Sequence, residues 1–292
     1  MRIRAALISL LSTLALTTSF LLGAGPAGAS GFERGPAPDP GYFLKGPFAF
    51  ASFGVANAAT PGFGAATIYY PTSRAEGRFG GVAIVPGFTG TQAAVSWLGP
   101  RLASNGFVVI TLDTNSPFDS PASRGTQLLA ALDYLTGTSA VRSQVDGTRL
   151  AVMGHSMGGG GALEAAKARP SLMATVPLSP WDSDRIWPEI VSPTLIVGAE
   201  KDTTAPVGTY AKPMFAGIPT VTKKAYLELN DAGHSAVTMP SMDVARSSIS
   251  WLKRFVDGDT RYDQFLCPGP PASPTGLPSA FPVSAYTITC PV

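Results

Sequence analysis

The segment Gly154–Gly158 reads G-H-S-M-G and has the G-x-S-x-G pattern that places a serine at a sharp strand-to-helix turn. The pattern alone is weak in a chain with 32 glycines, but an apolar run precedes it and a helix of small residues follows it. Side chains at its two glycines would collide with neighbouring backbone, and unpaired N–H groups at the helix start favour negative charge. We therefore predict that Ser156 is a nucleophile; the alternative is a Gly-rich turn without chemistry.

A serine hydroxyl needs a base before it attacks a carbonyl carbon. The chain has only two histidines, His155 and His234. His155 lies beside Ser156 within the turn, so its side chain should point away from the hydroxyl. His234 follows the strand-like run Ala225–Leu229, and by elimination we predict that it is the base. The alternative is a histidine with a structural role.

The third member of such a triad is a carboxylate that orients the histidine and stabilises its imidazolium form. Asp202 follows the apolar run Thr194–Val197 and lies between the predicted nucleophile and base, which gives the chain order Ser, Asp, His. Asp182, Asp184 and Glu200 are competitors in nearby loops. We predict Asp202 and interpret the other three as solvated loop acids.

Ester chemistry also needs N–H donors for the oxyanion. The predicted donors are the backbone N–H of Met157, directly after the nucleophile, and that of Phe88, in the loop after the run Gly81–Val85. Only residues 182–192 separate Trp181 from the next strand, which is too short for a lid domain. The sequence therefore predicts an open cleft between Phe88 and Trp181. Phe88 could instead pack on the surface, and Trp181 could cap a strand end.

These residues lie in a chain where short, β-rich apolar runs alternate with helical patterns. The predicted strands are Phe48–Val55, Ala66–Tyr70, Gly81–Val85, Phe107–Leu112, Leu150–Met153, Ala174–Leu178, Thr194–Val197 and Ala225–Leu229. The predicted helices are Val95–Ser104, Ser123–Tyr134, Met157–Arg169 and Met242–Val256. Such alternation predicts an α/β chain with a mostly parallel sheet and helices on both faces. Together with the serine turn, it indicates a single domain, residues 30–292, with the α/β-hydrolase fold and no lid domain.

Residues 1–29 have the composition of an export signal. Arg2 and Arg4 precede an apolar stretch, and Ala27-Gly28-Ala29 forms a small-residue cleavage site. The alternative is an uncleaved membrane anchor. Removal of these residues takes away two of 21 basic residues and none of 19 acidic ones, so the net charge of +2 becomes 0. We expect a secreted, extracellular protein with no nucleic-acid partner and no stable membrane association.

Cys267 and Cys290 are the only cysteines. An even count in an exported chain favours a disulfide between them, and the alternative is two buried free thiols. Neither has a histidine close in sequence, so neither is a candidate nucleophile.

Several longer motifs are distinctive. They are Gly154–Gly161, Pro86–Thr91, Ser179–Trp181, Trp251–Tyr262 and Phe265–Gly269. On these motifs the chain resembles the actinobacterial cutinases, polyester hydrolases that include enzymes degrading poly(ethylene terephthalate), from about residue 32 to Cys290.

The resemblance implies a role for each candidate residue. It implies a catalytic triad of Ser156, Asp202 and His234, oxyanion donors at Phe88 and Met157, a mobile aromatic wall at Trp181, and a disulfide between Cys267 and Cys290. The activity it implies is hydrolysis of cutin and synthetic polyesters through an acyl-enzyme.

The chain departs from that family at the cleft. Ser235 stands where most members carry a phenylalanine, and Thr204 stands where an isoleucine usually lines the cleft. Some members bind calcium through three carboxylates; Glu200 matches one, Asn230 replaces another, and no clear third is present. We therefore predict no metal and no cofactor, and we expect a monomer acting on a polymeric or small ester.

Three other functions fit parts of the pattern. A triacylglycerol lipase or short-chain carboxylesterase would share the triad, although the absence of a lid favours a cutinase. A binding protein on the same fold would typically lack a triad member, and all three are present. A serine peptidase would usually carry a large gating domain, for which the chain has no room.

Overall fold

A computed structural model describes residues 32–269 and 281–292. The strands of this part of the chain are β1 (Phe50–Val55), β2 (Ala66–Pro71), β3 (Phe79–Val85), β4 (Phe107–Leu112), β5 (Val145–His155), β6 (Ala174–Leu178), β7 (Thr194–Ala199), β8 (Lys224–Leu229) and β9 (Val283–Ile288). Its α-helices are α1 (Leu98–Ser104), α2 (Pro121–Gly137), α3 (Met157–Ala168), α4 (Ala211–Gly217) and α5 (Met242–Phe255). Short 3₁₀ helices span Pro40–Phe43, Asn57–Ala59, Gln92–Ala94, Arg142–Gln144, His234–Thr238 and Thr260–Phe265.

The nine strands form one sheet in the order β1-β2-β4-β3-β5-β6-β7-β8-β9. The six strands from β4 to β8 in this order run parallel. β1, β2 and β9 are antiparallel to their neighbours at the two sides. The predicted α/β-hydrolase architecture, a mostly parallel sheet between helices, is therefore confirmed.

Side chains of β3 show how the two faces are filled. Val82 and Ile84 pack with residues of α1 and α5, whereas Ala83 and Val85 pack with residues of α2 and α3. All four are fully buried, because alternate residues of a strand point to opposite faces and helices cover both. Burial of a Val or Ile side chain contributes about 1.5–3 kcal/mol relative to exposure, so this central strand fixes the sheet firmly.

Two helices on opposite faces begin at serine caps. The Ser120 hydroxyl accepts a hydrogen bond from the N–H of Ser123 at 3.2 Å, and Pro121 occupies the first helical position of α2. The Ser241 hydroxyl accepts from the N–H of Val244 at 3.4 Å at the start of α5. Each cap satisfies an N–H that has no partner within the helix, which fixes where the helix begins.

The parallel strands bring the candidate residues to one edge of the sheet. Phe88 follows β3, Ser156 follows β5, Asp202 follows β7 and His234 follows β8. The carboxyl ends of parallel strands lie at the same edge, so four segments distant in sequence meet there.

Most predicted elements are present with small shifts of their ends, and two elements were missed. The helix α4 and the edge strand β9 were not predicted, and the predicted strand Leu150–Met153 extends over Val145–His155. The predicted export signal, residues 1–29, lies outside the described residues.

The predicted disulfide is confirmed, since Cys267 and Cys290 are bonded to each other. The bond closes a loop with a sequence separation of 23, for which the chain-entropy model gives about 3 kcal/mol of stabilisation. The edge strand β9 lies within this loop. No helix in the described ranges is long and apolar enough to cross a bilayer.

Candidate active site

Ser156 occupies the one-residue turn between β5 and α3. Its backbone adopts φ 56° and ψ −122°, a conformation that costs a non-glycine residue about 1–3 kcal/mol. Hydrogen bonds from the surrounding chain hold it there. Its N–H donates to the Leu178 carbonyl at 3.0 Å, and its carbonyl accepts from the N–H groups of Gly159 at 2.8 Å and Trp181 at 2.9 Å. The turn is therefore fixed from both β6 and α3.

Glycines around this turn are required because other backbone lies against them. A Cβ on Gly154 would lie 2.1 Å from the Gly158 carbonyl oxygen, and one on Gly158 would lie 2.5 Å from the Pro86 carbonyl oxygen. The predicted requirement for both glycines is thus confirmed. Gly87 was not predicted to be required, yet a Cβ there would lie 2.7 Å from the Cβ of Ser156. Glycine at position 87 therefore leaves room for the serine side chain.

His234 lies between Ser156 and Asp202. Its Nε2 is 2.8 Å from the Ser156 hydroxyl oxygen, and its Nδ1 is 2.7 Å from a carboxylate oxygen of Asp202. A carboxylate can only accept, so Nδ1 carries the proton and Nε2 is left to accept the serine hydrogen. The three side chains predicted from sequence are brought together with the polarity that nucleophilic catalysis needs.

Asp202 is buried and is held by its own loop. Its second carboxylate oxygen accepts the N–H of Thr204 at 2.9 Å and that of Ala205 at 2.7 Å. Burial alone would raise the pKa of Asp202, but the hydrogen bonds from His234 and from these two N–H groups outweigh burial and lower it. The carboxylate is therefore ionised at neutral pH.

The competing acids do not reach the histidine. Asp182 accepts the N–H of Asp184 at 3.1 Å, and Glu200 accepts the N–H of Asp231 at 2.9 Å. Asp182 is not the solvated loop acid expected from sequence, because it is only 3% exposed and burial raises its pKa. Among the described carboxylates, Asp202 is the one that hydrogen-bonds His234.

His155, as expected, makes no hydrogen bond to Ser156, but it does contact His234, the predicted base. Its Nε2 lies 3.2 Å from the His234 carbonyl oxygen, and the two imidazole rings are 4.8 Å apart. Burial, together with the neighbouring His234, lowers the pKa of His155 to about 4. His155 is thus neutral at pH 7 and donates from Nε2 to that carbonyl.

The two predicted oxyanion donors are free to bind a ligand oxygen. Met157 is the first residue of α3, so its N–H has no partner within the helix. The N–H of Phe88 donates to no acceptor in the described ranges, whereas the next N–H, that of Thr89, donates to the Pro117 carbonyl at 2.8 Å.

An open cleft of about 320 Å³ lies over the serine. Phe88, Thr204 and Ser235 line it together with Ser156 and His234. Phe88, Thr204 and Ser235 are all exposed, so Thr204 and Ser235, which the resemblance placed in the cleft, do face it.

Aromatic side chains lie at the rim and beyond it. Phe88 contacts Phe118 with ring centroids 5.6 Å apart, and these side chains are 52% and 67% exposed. Trp181 lies outside the lining of the cleft and packs against Tyr210 at 5.9 Å.

The residues that the resemblance matched to a calcium site do not fit that ion. The Glu200 carboxylate accepts a hydrogen bond from the Asp231 N–H. The Asp231 carboxylate forms an ion pair with the Lys201 ammonium group, which places a cation beside it already. Asn230 contacts Asp231 at 3.4 Å. In the described ranges, no group of three or more His, Cys, Asp or Glu side chains is arranged to hold a metal.

The buried, neutral His155 should make the protein sensitive to acid. Its pKa is about 4 in the folded state and 6.5 ordinarily, so the unfolded chain binds more protons between these values. The contribution of His155 to the free energy of unfolding is therefore constant above pH 6.5. As the pH falls from 6.5 to about 4, the free energy of unfolding decreases by about 3 kcal/mol. His155→Gln keeps an N–H donor for the His234 carbonyl but does not titrate. Urea unfolding from pH 4 to 8 should therefore show a shallower acid loss for this variant. Parallel stability curves for the variant and the wild type would show that His155 has no such role.

Comparisons with known proteins identify the family of the chain. The family model of the PETase family, described as PET hydrolase-like, matches residues 26–291. The chain is 56% identical over 262 residues to a bis(hydroxyethyl) terephthalate hydrolase of Streptomyces coelicolor, covering 89% of this chain and 82% of that protein. It is 51% identical over 267 residues to cutinase 2 of Thermobifida cellulosilytica, covering 90% and 99% of the two chains. It is 50% identical over 281 residues to cutinase cut1 of Thermobifida fusca, covering 95% and 86%.

The family match spans nearly all of the described chain, and the three relatives each align with more than four-fifths of it. The similarity to actinobacterial cutinases inferred from the motifs is confirmed. This chain belongs to the PET hydrolase-like family.

Proposed function

We propose that this protein is a serine hydrolase of the cutinase type, which cleaves the ester bonds of cutin and synthetic polyesters through an acyl-enzyme on Ser156. The observation that carries the proposal is the hydrogen-bond path from Asp202 through His234 to Ser156, with distances of 2.7 and 2.8 Å. Membership of the PET hydrolase-like family supports it independently.

In the first half of the reaction, the Ser156 oxygen attacks the ester carbonyl carbon while His234 Nε2 takes the hydroxyl proton. The tetrahedral intermediate collapses, and His234 returns the proton to the leaving alcohol. In the second half, His234 deprotonates a water molecule that attacks the acyl-enzyme. The second intermediate collapses, the bond between the acyl group and the Ser156 oxygen breaks, and His234 returns the proton to that oxygen as the carboxylic acid is released. Asp202 keeps the histidine in the required tautomer and stabilises its charged form.

The oxyanion of each tetrahedral intermediate is bound by the N–H groups of Met157 and Phe88. Neither N–H has to break an existing hydrogen bond before it binds the oxyanion, so the reorganisation energy of the site is small when charge develops. The position of Met157 at the start of α3 adds the favourable end of the helix dipole.

The substrate class follows from the open cleft. The segment of residues 179–193, between β6 and β7, contains no helix or strand, and the fully buried Trp187 and Ile190 fix it to the protein body. A segment held in this way does not cover the serine, so a long chain can extend beyond the cleft on both sides. Exposed Phe88 and Phe118 offer apolar contact to an aromatic diacid unit. The relative named bis(hydroxyethyl) terephthalate hydrolase supports an aromatic ester.

We propose that the protein acts outside the cell as a monomer and without a cofactor. The sequence of residues 1–29 and the disulfide between Cys267 and Cys290 support export into an oxidising compartment.

The catalytic roles predict a specific pattern of losses. A fluorophosphonate probe should label the wild type, and Ser156→Ala should abolish labelling because the probe reacts with the activated hydroxyl. His234→Ala should lower kcat on p-nitrophenyl butyrate by about 10³-fold or more, and Asp202→Asn by a comparable factor.

Asp184→Asn is the matched control, since Asp184 is a loop carboxylate that makes no contact with His234. It should leave kcat almost unchanged. Labelling that survives Ser156→Ala, or a large loss in Asp184→Asn with none in Asp202→Asn, would refute the assigned roles.

The substrate class predicts a split between polymers and small esters. Trp181→Ala should lower the release of terephthalate monoesters from amorphous poly(ethylene terephthalate) film about tenfold, because a polymer needs an apolar surface beside the cleft. Hydrolysis of p-nitrophenyl butyrate should change less than about threefold, because it needs only the triad and the oxyanion donors. Ser235→Phe, which narrows the cleft, should change the ratio of aromatic to aliphatic polyester hydrolysis.

Phe50→Ala is the control for Trp181→Ala, since it removes an exposed aromatic ring from β1 at the far side of the sheet. It should leave both activities unchanged. Cleavage of emulsified triolein with interfacial activation, combined with no attack on polyester films, would show that the protein is a lipase.

A further inference from the structure

Arg124 is completely buried in the first turn of α2, and the mechanism above assigns it no role. Two local effects oppose a cation at this place. Burial removes the guanidinium from water, and the positive end of the helix dipole disfavours it. The Asp119 carboxylate favours the charged form but does not outweigh burial, and in the described ranges no carboxylate lies within ion-pair distance of Arg124. A guanidinium buried under these conditions requires hydrogen-bond acceptors within the protein.

The guanidinium binds backbone carbonyls of two loops. Its Nη1 donates to the Pro86 carbonyl at 3.0 Å, its Nη2 to the Pro117 carbonyl at 2.9 Å, and its Nε to the Asp119 carbonyl at 3.0 Å. A planar guanidinium presents its N–H groups in fixed directions and so sets the relative positions of all three oxygens. A lysine ammonium is a single point charge and cannot bind three separated carbonyls in this way.

Two of these carbonyls lie on either side of Phe88 in the hydrogen-bond network. Pro86 precedes Phe88 by two residues. The Pro117 carbonyl, which binds Arg124, also accepts the N–H of Thr89, directly after Phe88. Both flanks of the proposed oxyanion donor are thus connected to one buried side chain.

The same side chain packs against the helix of the nucleophile. A Cβ on Gly161 in α3 would lie 2.8 Å from the Cβ of Arg124, and one on Gly158 would lie 2.5 Å from the Pro86 carbonyl oxygen. The loop that carries Phe88 is therefore held against the first turn of α3, which carries Met157.

We propose that Arg124 is a positioning residue for the oxyanion site, which holds the Phe88 N–H in register with that of Met157 through its bonds to the Pro86 and Pro117 carbonyls. The inference rests on the proposed ester hydrolysis. Arg124 stabilises the transition state indirectly, because the Phe88 N–H that it positions is needed when the carbonyl oxygen becomes charged.

Arg124→Lys, which keeps the charge but loses the planar donors, tests the inference. With p-nitrophenyl butyrate we expect kcat to fall about 10- to 100-fold and KM to change less than about twofold. Phenylboronic acid supplies the second readout. The Ser156 oxygen adds to its boron, the proton passes to His234, and the resulting tetrahedral anion places a boron-bound oxygen at the oxyanion donors. The inhibition constant should rise by about the same factor as kcat falls.

Arg149→Lys is the matched control. Arg149 is also buried, but it pairs with Asp257 at 2.6 Å and lies six residues before His155 on β5, about 20 Å from the serine. It should lose thermal stability without a change in kcat or boronate affinity. Equal effects in the two variants, or wild-type kcat and boronate affinity in Arg124→Lys, would overturn the inference.

The outcomes also separate this inference from the proposed function. Ester hydrolysis that does not depend on Ser156 would refute the function, whereas Ser156-dependent hydrolysis unaffected by Arg124→Lys would refute the positioning role alone.

If Arg124→Lys does not fold, Asp119→Ala replaces it. That change frees the Ser116 N–H and the Gln127 amide from the Asp119 carboxylate and loosens the same loop from the surface. It should lower kcat in the same direction at unchanged KM, and an unchanged kcat would overturn the inference.

Discussion

The close approach of backbone around Ser156 is the constraint on which the site depends. β5 ends, the chain turns within one residue at φ 56°, and α3 begins at once. This geometry is possible only because Gly154, Gly158 and Gly87 leave no side chain between the strand, the helix and the loop after β3. The same crowding aims the serine hydroxyl at His234 and brings the first N–H of α3 beside it. The strain at Ser156 is offset by the bonds from β6 and α3 and by the buried sheet beneath.

Of the two buried titratable groups that contact His234, Asp202 is ionised and His155 is neutral. Asp202 stays ionised because three hydrogen bonds compensate for its burial, whereas His155 stays neutral because burial and the adjacent His234 oppose its protonation. A second positive charge beside His234 would make its protonated form less stable, and that form is needed while the intermediate exists. The buried Arg124 adds a cation on the other side of α3, bound by carbonyl dipoles instead of a carboxylate. Asp202 and Arg124 are thus each held in position by hydrogen bonds to their charged form.

Much of this arrangement could be predicted from the sequence, because the strongest signals are local. The G-x-S-x-G turn, the continuous apolar strands and the chain order of Ser156, Asp202 and His234 each follow from nearby residues. The edge strand β9 was missed because it is half exposed and lacks a continuous apolar run. The helix α4 has seven residues and contains a proline, so its periodicity is too short to detect.

The missed site residues depend on contacts between segments distant in the chain. His155 is adjacent to Ser156, yet its partner is the carbonyl of His234, 79 residues further on. Arg124 reads as an ordinary residue near the start of a helix, and only the folded chain shows that it binds carbonyls of two loops. Gly87 is one of 32 glycines until Ser156 lies against it. No spacing in the sequence reports these approaches, since each is created by the order of strands in the sheet.

The proposed function requires that ester cleavage proceeds through a covalent bond to Ser156. The most direct measurement is intact-mass and peptide mass spectrometry after rapid acid quenching of the enzyme during turnover of bis(2-hydroxyethyl) terephthalate. Covalent catalysis predicts that ethylene glycol leaves first and that a transient 2-hydroxyethyl terephthaloyl adduct remains on the peptide that contains Ser156. Steady hydrolysis without any such adduct, or an adduct on another residue, would contradict it.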